Sequence, residues 1–233
     1  MKTLMIAVTI GVVLISLTYW ITEDWRAHRQ EVVPYREGNQ WGFRTRSGKV
    51  VVPPQYDEVH VFSEGLAAVK VRAKWGYIDT TGKLVIEPRF GLVHVFSEGR
   101  AAVVTDDGYG FIDKKGTLVI APIYTFTPGF SEGFAVVYRK GGCAIIDPSG
   151  KEVIPFGVYE DARNFSEGLS AVKKEGKWGY IDKSRKMVIE PQYDSVGPFL
   201  DGRAEVGFGK KRTKYTEIDR TGKQLRPPAY RMK

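Results

Sequence analysis

Residues 129–133 match the G-x-S-x-G pattern of a hydrolase nucleophile elbow. In that elbow a strand precedes the serine, a helix follows it, and a histidine activates the hydroxyl. Here the tetrapeptide Phe-Ser-Glu-Gly recurs with Val or Asn in place of Gly129, and a strand-like sequence follows each copy. The pattern therefore favours a turn, in which the Ser131 hydroxyl bonds to nearby backbone, over a catalytic serine.

Two rows of acidic residues recur along the chain. One row holds the aspartates at the start of a repeated turn sequence, Asp79, Asp113, Asp147, Asp182 and Asp219. The other holds the glutamates of Phe-Ser-Glu-Gly, Glu64, Glu98, Glu132 and Glu167. Such rows could bind calcium or form the acid–base pair of a glycosidase. An aspartate that begins a turn accepts a hydrogen bond from the backbone two residues on, so we expect this row to stabilise turns.

Two histidines lie at equivalent positions of the repeat. His60 and His94 are 34 residues apart and could lie side by side as zinc ligands. The next equivalents, Pro128, Arg163 and Gly197, supply no third ligand. The spacing therefore favours exposed or half-buried loop histidines.

The composition limits the chemistry further. One cysteine and three histidines in 233 residues argue against a disulfide scaffold and a Cys-rich zinc or iron–sulfur site. We expect Cys143 to be a small buried thiol. The sequence predicts no catalytic residue, no metal site and no cofactor.

Positive charge is concentrated at one end of the chain. The net charge is +8, and residues 210–233 hold nine Lys and Arg against two Asp and Glu. The densest cluster is Lys210, Lys211, Arg212 and Lys214. The cluster is either a solvated hairpin or a patch for anionic polymer or lipid headgroups. It lacks interleaved aromatic residues, which argues against nucleic acid.

Four sequence markers repeat in one phase from about residue 32 to residue 230. Phe-Ser-Glu-Gly begins at Phe62, Phe96, Phe130 and Phe165, with an altered copy at Phe199. These starts are 34, 34, 35 and 34 residues apart. A Trp-Gly marker keeps the same interval, with Trp41, Trp75, Tyr109, Cys143, Trp178 and a degenerate Tyr215 in its first position. The other two markers are Asp-x-x-Gly and a proline two residues before an aromatic ring.

Each unit of about 34 residues can be divided into strands and turns. Alternation predicts strands over residues 66–71 and 74–79, and Asp79 and Gly82 fit a turn between strands. Residues 84–86 return as a third strand, which Pro88 is expected to end because proline cannot donate to a ladder. No segment after residue 30 has helical periodicity, so the fold is predicted to be all-β.

A hairpin of this size cannot bury both of its faces, so the units must stack and share cores. The recurring rings are the expected core residues: Trp75, Trp178, Phe62, Phe96, Phe130 and Phe165. The glycine after each tryptophan is expected to make room for a ring or backbone. Arg44 and Thr45 replace the Ile and Asp of inner units, as expected of an end unit. Stacking as a solenoid-like or a propeller-like array is left open.

The repeated string W-G-Y-I-D-x-x-G-K-x-V-I-x-P-x-Y, preceded by F-S-E-G-x-A-x-V, resembles the bacterial WG-repeat (KWG-repeat) proteins. The resemblance covers about 200 of the 233 residues. It departs from the pattern at Cys143, Ala144, Arg185 and Pro155, and in the last unit. It implies a β-rich binding or scaffolding module, often in exported or membrane-attached proteins, without a common catalytic residue set.

The N-terminal segment has the character of a membrane anchor. Residues 4–21 carry no charge and would span about 27 Å as a helix, close to the ~30 Å of a bilayer core. A cleaved signal peptide is the alternative. The Lys and Arg count favours a cytoplasmic repeat domain, whereas a short basic start before an apolar run is typical of export. We expect the domain to be extracytoplasmic.

The sequence thus predicts a tail at 1–3, an anchor at 4–21, a linker at 22–31 and a WG-repeat β domain of about six units at 32–233. The predicted function is a non-catalytic, membrane-anchored scaffold of the cell envelope that binds another protein. The alternative is a module for glycans or anionic polymers. A hydrolase is a distant third.

Overall fold

The computed structural model describes residues 31–209 and 214–230. Every regular secondary-structure element in these ranges is a β-strand, which confirms the predicted all-β class. The chain divides into two compact bodies, Met1–Arg89 and Phe90–Lys233. The predicted membrane span at residues 4–21 lies outside the described residues. The described residues contain no helical segment that could span a bilayer.

The N-terminal body contains two small sheets whose strands are neighbours in chain order. The strands of the first sheet are β1 (Val32–Glu37), β2 (Gln40–Thr45) and β3 (Val50–Tyr56). Those of the second are β4 (Glu58–Val59), β5 (Leu66–Val71), β6 (Lys74–Asp79) and β7 (Leu84–Phe90). The first sheet therefore lacks, among its described residues, the short first strand of the second.

The C-terminal body contains four sheets of four strands each, again in chain order. The first has β8 (Leu92–Val93), β9 (Ala101–Thr105), β10 (Gly108–Ile112) and β11 (Leu118–Tyr124). The second has β12 (Phe130–Ser131), β13 (Phe134–Arg139), β14 (Gly142–Ile146) and β15 (Glu152–Ile154). The third has β16 (Asp161–Ala162), β17 (Leu169–Lys174), β18 (Lys177–Asp182) and β19 (Met187–Tyr193). The fourth has β20 (Ser195–Val196), β21 (Arg203–Phe208), β22 (Lys214–Asp219) and β23 (Ala229–Tyr230).

The sequence predicts three strands in each unit, whereas five of the six described sheets have four. A two-residue strand pairs with the first long strand, as where Val93 lies opposite Val103. In most units the Phe-Ser-Glu-Gly turn joins the short strand to the long one. Two residues are too few to produce an alternating pattern, which is why the sequence did not reveal this strand.

The third strand does not end at the proline, contrary to the prediction. Strand β19 runs past Pro191 to Tyr193 because it bulges: Trp178 lies opposite Tyr193, whereas Tyr180 lies opposite Ile189. The proline lies in the bulge, where the ladder needs no N–H donor. The same shift occurs between β2 and β3 and between β10 and β11.

The bulge explains the glycine of the Trp-Gly marker. A Cβ on Gly179 would stand 2.3 Å from the carbonyl oxygen of Ile189, and equivalent contacts of 2.3 to 2.7 Å face Gly42, Gly76 and Gly110. The backbone approach predicted at these glycines is confirmed. Ala144 replaces the glycine in the unit whose third strand, β15, already ends at Ile154 before Pro155. Ala144 pairs with Val137 of β13, but no residue of β15 lies opposite it, and a methyl group is accommodated on that side.

Successive units share buried apolar clusters. In the C-terminal body one cluster joins Phe111 and Ile120 to Phe130 and Ile146, residues of neighbouring sheets. The predicted core rings are confirmed at five positions, since Trp75, Trp178, Phe96, Phe130 and Phe165 are all at most 7% exposed. Phe62, in the first complete turn, is only half-buried and packs against Phe43 with 5.0 Å between ring centroids.

Candidate functional site

The Phe-Ser-Glu-Gly turns are the contacts that join one repeat unit to the next. At three turns of the C-terminal body, the glutamate carboxylate accepts a hydrogen bond from the glycine N–H of the following turn. The pairs are Glu98 with Gly133 at 2.8 Å, Glu132 with Gly168 at 2.8 Å, and Glu167 with Gly202 at 2.9 Å. The glutamate row is therefore a row of structural links in the C-terminal body, not a row of open ligands.

The serine of the turn makes a second link. Ser131 Oγ donates to the carbonyl of Phe165 at 2.8 Å, and Ser166 Oγ donates to the carbonyl of Phe199 at 2.6 Å. Strand β13 follows Ser131 where a nucleophile elbow requires a helix. The partner is backbone, as expected, but backbone of the next unit rather than of the same turn.

These links depend on an unusual backbone conformation. The glutamates of the four turns lie in the left-handed region, at φ of +51° to +54°. Residues other than glycine adopt this region at a cost in free energy. The carboxylate hydrogen bonds at Glu98, Glu132 and Glu167 give the reason for keeping glutamate there. A repeated Glu at a turn position that suits Gly or Asn was the available sequence signal.

Charge adds to one of these links. Lys183 Nζ lies 3.0 Å from Glu132 Oε2. Partial burial of Glu132 raises the pKa of its carboxyl, but the hydrogen bonds from Lys183 and from the Gly168 N–H outweigh this and hold the pKa below its ordinary value. Glu132 is therefore ionised in the folded protein at neutral pH.

The aspartate row stabilises turns, which confirms the prediction. Asp147 Oδ1 accepts hydrogen bonds from the hydroxyl and N–H of Ser149 and from the N–H of Lys151. These bonds, the hydroxyl's first, lower the pKa of the Asp147 carboxyl. Across the described ranges, no three His, Cys, Asp or Glu side chains come together as a possible metal site.

Each loop histidine packs against the aromatic ring of its own Trp-Gly marker. His60 lies 4.7 Å from Trp75 between ring centroids, and His94 lies 6.2 Å from Tyr109. The equivalent Arg163 places its guanidinium 5.2 Å from the centre of the Trp178 ring. This position therefore covers the marker ring, a role that a zinc interpretation overlooks.

Two further predicted residues have a clear environment. Cys143 is 2% exposed, as expected of a buried thiol, and burial followed by the nearby Asp161 charge raises its pKa to about 11. A thiol with this pKa is protonated and unreactive at neutral pH. Burial lowers the pKa of His94. This effect outweighs the hydrogen bond to the Pro128 carbonyl, which raises the pKa.

The predicted basic patch lies mostly outside the described residues. Lys210, Lys211 and Arg212 belong to the undescribed residues 210–213. Lys214 is exposed at the start of β22, where it pairs with Phe208. The patch stays a prediction.

An aromatic group reaches the surface of the C-terminal body. Phe126 is 46% exposed, and its ring lies 5.9 Å from Tyr109 and 5.7 Å from Tyr138 between centroids. We call Tyr109, Phe126 and Tyr138 the Phe126 cluster. The repeat pattern does not indicate this cluster, because Phe126 belongs to none of the four markers.

Small antiparallel sheets repeated in tandem define a β-repeat protein. The model of the WG containing repeat matches the sequence five times, at residues 41–75, 75–109, 109–143, 145–178 and 178–211. These matches extend over more than half of the chain, which therefore belongs to the WG-repeat family, as the sequence resemblance indicated.

A comparison with curated proteins gave no match. Among solved structures, a eukaryotic initiation factor aligns at 12% identity and a TM-score of 0.49, over 85% of this chain and 73% of that one. BamB from Moraxella catarrhalis aligns at 14% identity and 0.48, over 85% and 67%. Hsv2 from Kluyveromyces lactis aligns at 12% identity and 0.47, over 70% and 59%, so the match spans less than two-thirds of Hsv2.

Proposed function

We propose that this chain is a non-catalytic scaffold of the cell envelope whose WG-repeat domain binds another protein. The observation that carries the proposal is the burial of the repeated rings, with Trp75 6% and Trp178 7% exposed. A ladder for sugar rings needs aromatic faces open to solvent. Rings enclosed in the core favour protein binding over the glycan alternative.

The Phe126 cluster supports a protein partner. Aromatic side chains are enriched at protein–protein interfaces, where a large rigid ring buries much area at little entropic cost. Phe126 offers such a ring, held in place by Tyr109 and Tyr138. We therefore propose that the partner contacts this cluster.

The non-catalytic part of the proposal rests on the state of the candidate groups. The Ser131 hydroxyl is engaged with the Phe165 carbonyl, and the Cys143 thiol is buried with a raised pKa. The aspartates that begin the turns are bonded to their own backbone. We expect a serine-hydrolase probe to leave Ser131 unlabelled, and covalent labelling there would contradict the proposal.

We further propose that residues 4–21 anchor the chain in the membrane, with the repeat domain outside the cytoplasm. Eighteen uncharged residues without a convincing cleavage site support an uncleaved anchor. Sequencing of the mature N-terminus tests this, because a start between Thr18 and Gln30 would show a cleaved signal. Digestion of intact cells or spheroplasts by external protease tests the orientation.

A photoreactive amino acid placed in the full-length chain tests the binding proposal. At position 126 it should cross-link a discrete protein in the native cell. At position 87, where the chain has an exposed Glu87 on the edge strand β7, the same group should not. Equal cross-linking from both positions, or from neither, would contradict a partner at the Phe126 cluster.

The anionic-polymer alternative has its own variant. Changing Lys210, Lys211, Arg212 and Lys214 to Gln should leave protein cross-linking at position 126 unchanged. If the wild-type chain binds anionic polymers or vesicles in a salt-sensitive way and this variant does not, the basic end is a second binding surface. Loss of the protein cross-link in this variant would count against the Phe126 site.

A further inference from the structure

Contacts between successive units follow one rule in the buried clusters. The residue two positions after the Trp of one marker shares a cluster with the isoleucine that follows the equivalent residue in the next unit. The pairs are Phe43 with Ile78, Phe111 with Ile146, Ile145 with Ile181, and Tyr180 with Ile218. Each of these pairs is apolar and buried.

The two ends of the array replace both members of this pair with charge. In the last unit the position of Phe111 and Tyr180 is held by Glu217, and in the first unit the isoleucine position is held by Arg44. Arg44 is exposed, and its guanidinium lies 5.2 Å from the Tyr35 ring centre. The Glu217 side chain is 30% exposed and lies 2.9 Å from Arg226.

A second pair of positions shows the same complementarity. At one inner junction the turn glutamate meets a cation of the next unit, where Glu132 lies 3.0 Å from Lys183. The last turn places Asp201 at the glutamate position, exposed and in the same left-handed conformation, at φ +51°. The first unit places Arg46 at the position of Lys183, where it is also exposed and forms an exposed ion pair with Glu31.

We propose that the outer face of the last unit binds the outer face of the first unit of a second copy of this chain, head to tail. Glu217 then pairs with Arg44 at the positions of the inner apolar pair, and Asp201 pairs with Arg46 at the positions that Glu132 and Lys183 hold at their junction. Leu200, which is 65% exposed, replaces the serine of the inner turns and adds apolar area to this face.

The chemistry of the faces sets the strength of the contact. Terminal repeats with polar outer faces do not stack non-specifically, so the charge pattern selects which face is accepted. Exposed ion pairs each contribute little and are screened by salt. The association is therefore weak at physiological salt, is strengthened at low salt, and joins copies through two different faces, so that it can extend beyond a dimer.

Charge reversal of the full-length chain in detergent micelles tests the proposal by sedimentation over a range of concentrations. Glu217→Arg and Arg44→Glu should each weaken self-association by about tenfold or more, because like charges then face each other. Mixing the two single variants should restore association, since each supplies the complement of the other. The matched control, Glu190→Arg, reverses an exposed charge of an inner unit and should associate like the wild type.

The mixture separates a second copy from any other occupant. Restoration in the mixture supports two copies, and a circular dichroism spectrum and melting curve like those of the wild type would confirm that each variant is folded. Wild-type protein that stays monomeric at low salt and high concentration overturns the proposal. The proposal is also overturned if mixing the single variants restores nothing, whereas a chain that carries both changes regains the stability of the wild type. The pairing of Glu217 with Arg44 is then intramolecular.

Discussion

The N–H of Gly168 donates to the carboxylate of Glu132 at 2.8 Å, although the two residues are 36 positions apart in sequence. The bond joins the same turn in two successive units, and Lys183 reinforces it from the second unit. The turn whose sequence most resembles a catalytic motif thus links two successive units through a hydrogen bond.

Removing the hydrogen bond between Glu132 and Gly168 should destabilise the domain. We expect Glu132→Ala to lower the free energy of unfolding by about 2 kcal/mol, because a hydrogen bond to a charged group is lost and the Gly168 N–H loses its partner. Glu175→Ala is the matched control, since Glu175 has a similar φ of +52° in a hairpin turn and is exposed. Equal urea-unfolding midpoints for the two variants would show that the link contributes nothing.

The close backbone approach at the Trp-Gly marker gives a second prediction. Gly179→Ala places a methyl group 2.3 Å from the Ile189 carbonyl oxygen, so the strands must separate, at a cost of about 1–3 kcal/mol. In Gly197→Ala the new methyl would lie 3.5 Å from its nearest neighbour, the Glu205 carbonyl oxygen, which is ordinary contact. The melting temperature should therefore fall in Gly179→Ala and remain near that of the wild type in Gly197→Ala. The reverse order would refute the steric explanation.

Burial of the repeated phenylalanines gives a third. Phe130 is 5% exposed and packs on Phe111 with 4.9 Å between centroids, so Phe130→Ala should cost about 3–5 kcal/mol. Phe126→Ala, four residues earlier at 46% exposure, should cost far less. Melting curves of the full-length protein distinguish the two. A mild effect of Phe130→Ala would mean that this ring is not a core residue.

The turn aspartates give a prediction about pH. The folded pKa of Asp147 lies below its ordinary value, so its carboxylate stabilises the fold above the unfolded pKa of about 4, and this contribution is lost as the pH falls through the folded pKa. We expect the melting temperature to fall on acidification below about pH 4.

Ser149→Ala isolates the cause of the Asp147 shift. Loss of the Ser149 hydroxyl should raise the pKa of Asp147 toward its ordinary value in an NMR titration. Asp113, whose turn has Lys115 at the equivalent position, is the internal reference and should titrate unchanged. An unaltered Asp147 titration would show that the backbone bonds alone hold the pKa down.

The sequence predicts well what recurs in every unit at short range. Alternation places the long strands, the Asp-x-x-Gly turns and the core rings, because each of these follows from residues a few positions apart. Phe130 and Trp178 could be assigned to the core from their fixed phase alone.

Features that depend on contact between distant residues could not be predicted. The strand Leu92–Val93 exists only because it pairs with β9, and β19 continues past Pro191 only because it bulges against β18. The partners of Ser131 and Glu132 lie one whole unit away. Their constancy in the repeat was visible in the sequence, but the reason for it was not.

The repeated Glu–Gly hydrogen bonds between turns have a consequence for how the gene of such a protein can change. Deleting residues 133–167 joins Glu132 directly to Gly168, which recreates an intact Phe-Ser-Glu-Gly. In the shortened protein Gly202 takes the place of Gly168 opposite the Glu132 carboxylate, as it already serves Glu167. Recombination within the segments that encode the repeated turn can therefore remove or add a whole unit and still encode a complete Phe-Ser-Glu-Gly turn where the units join.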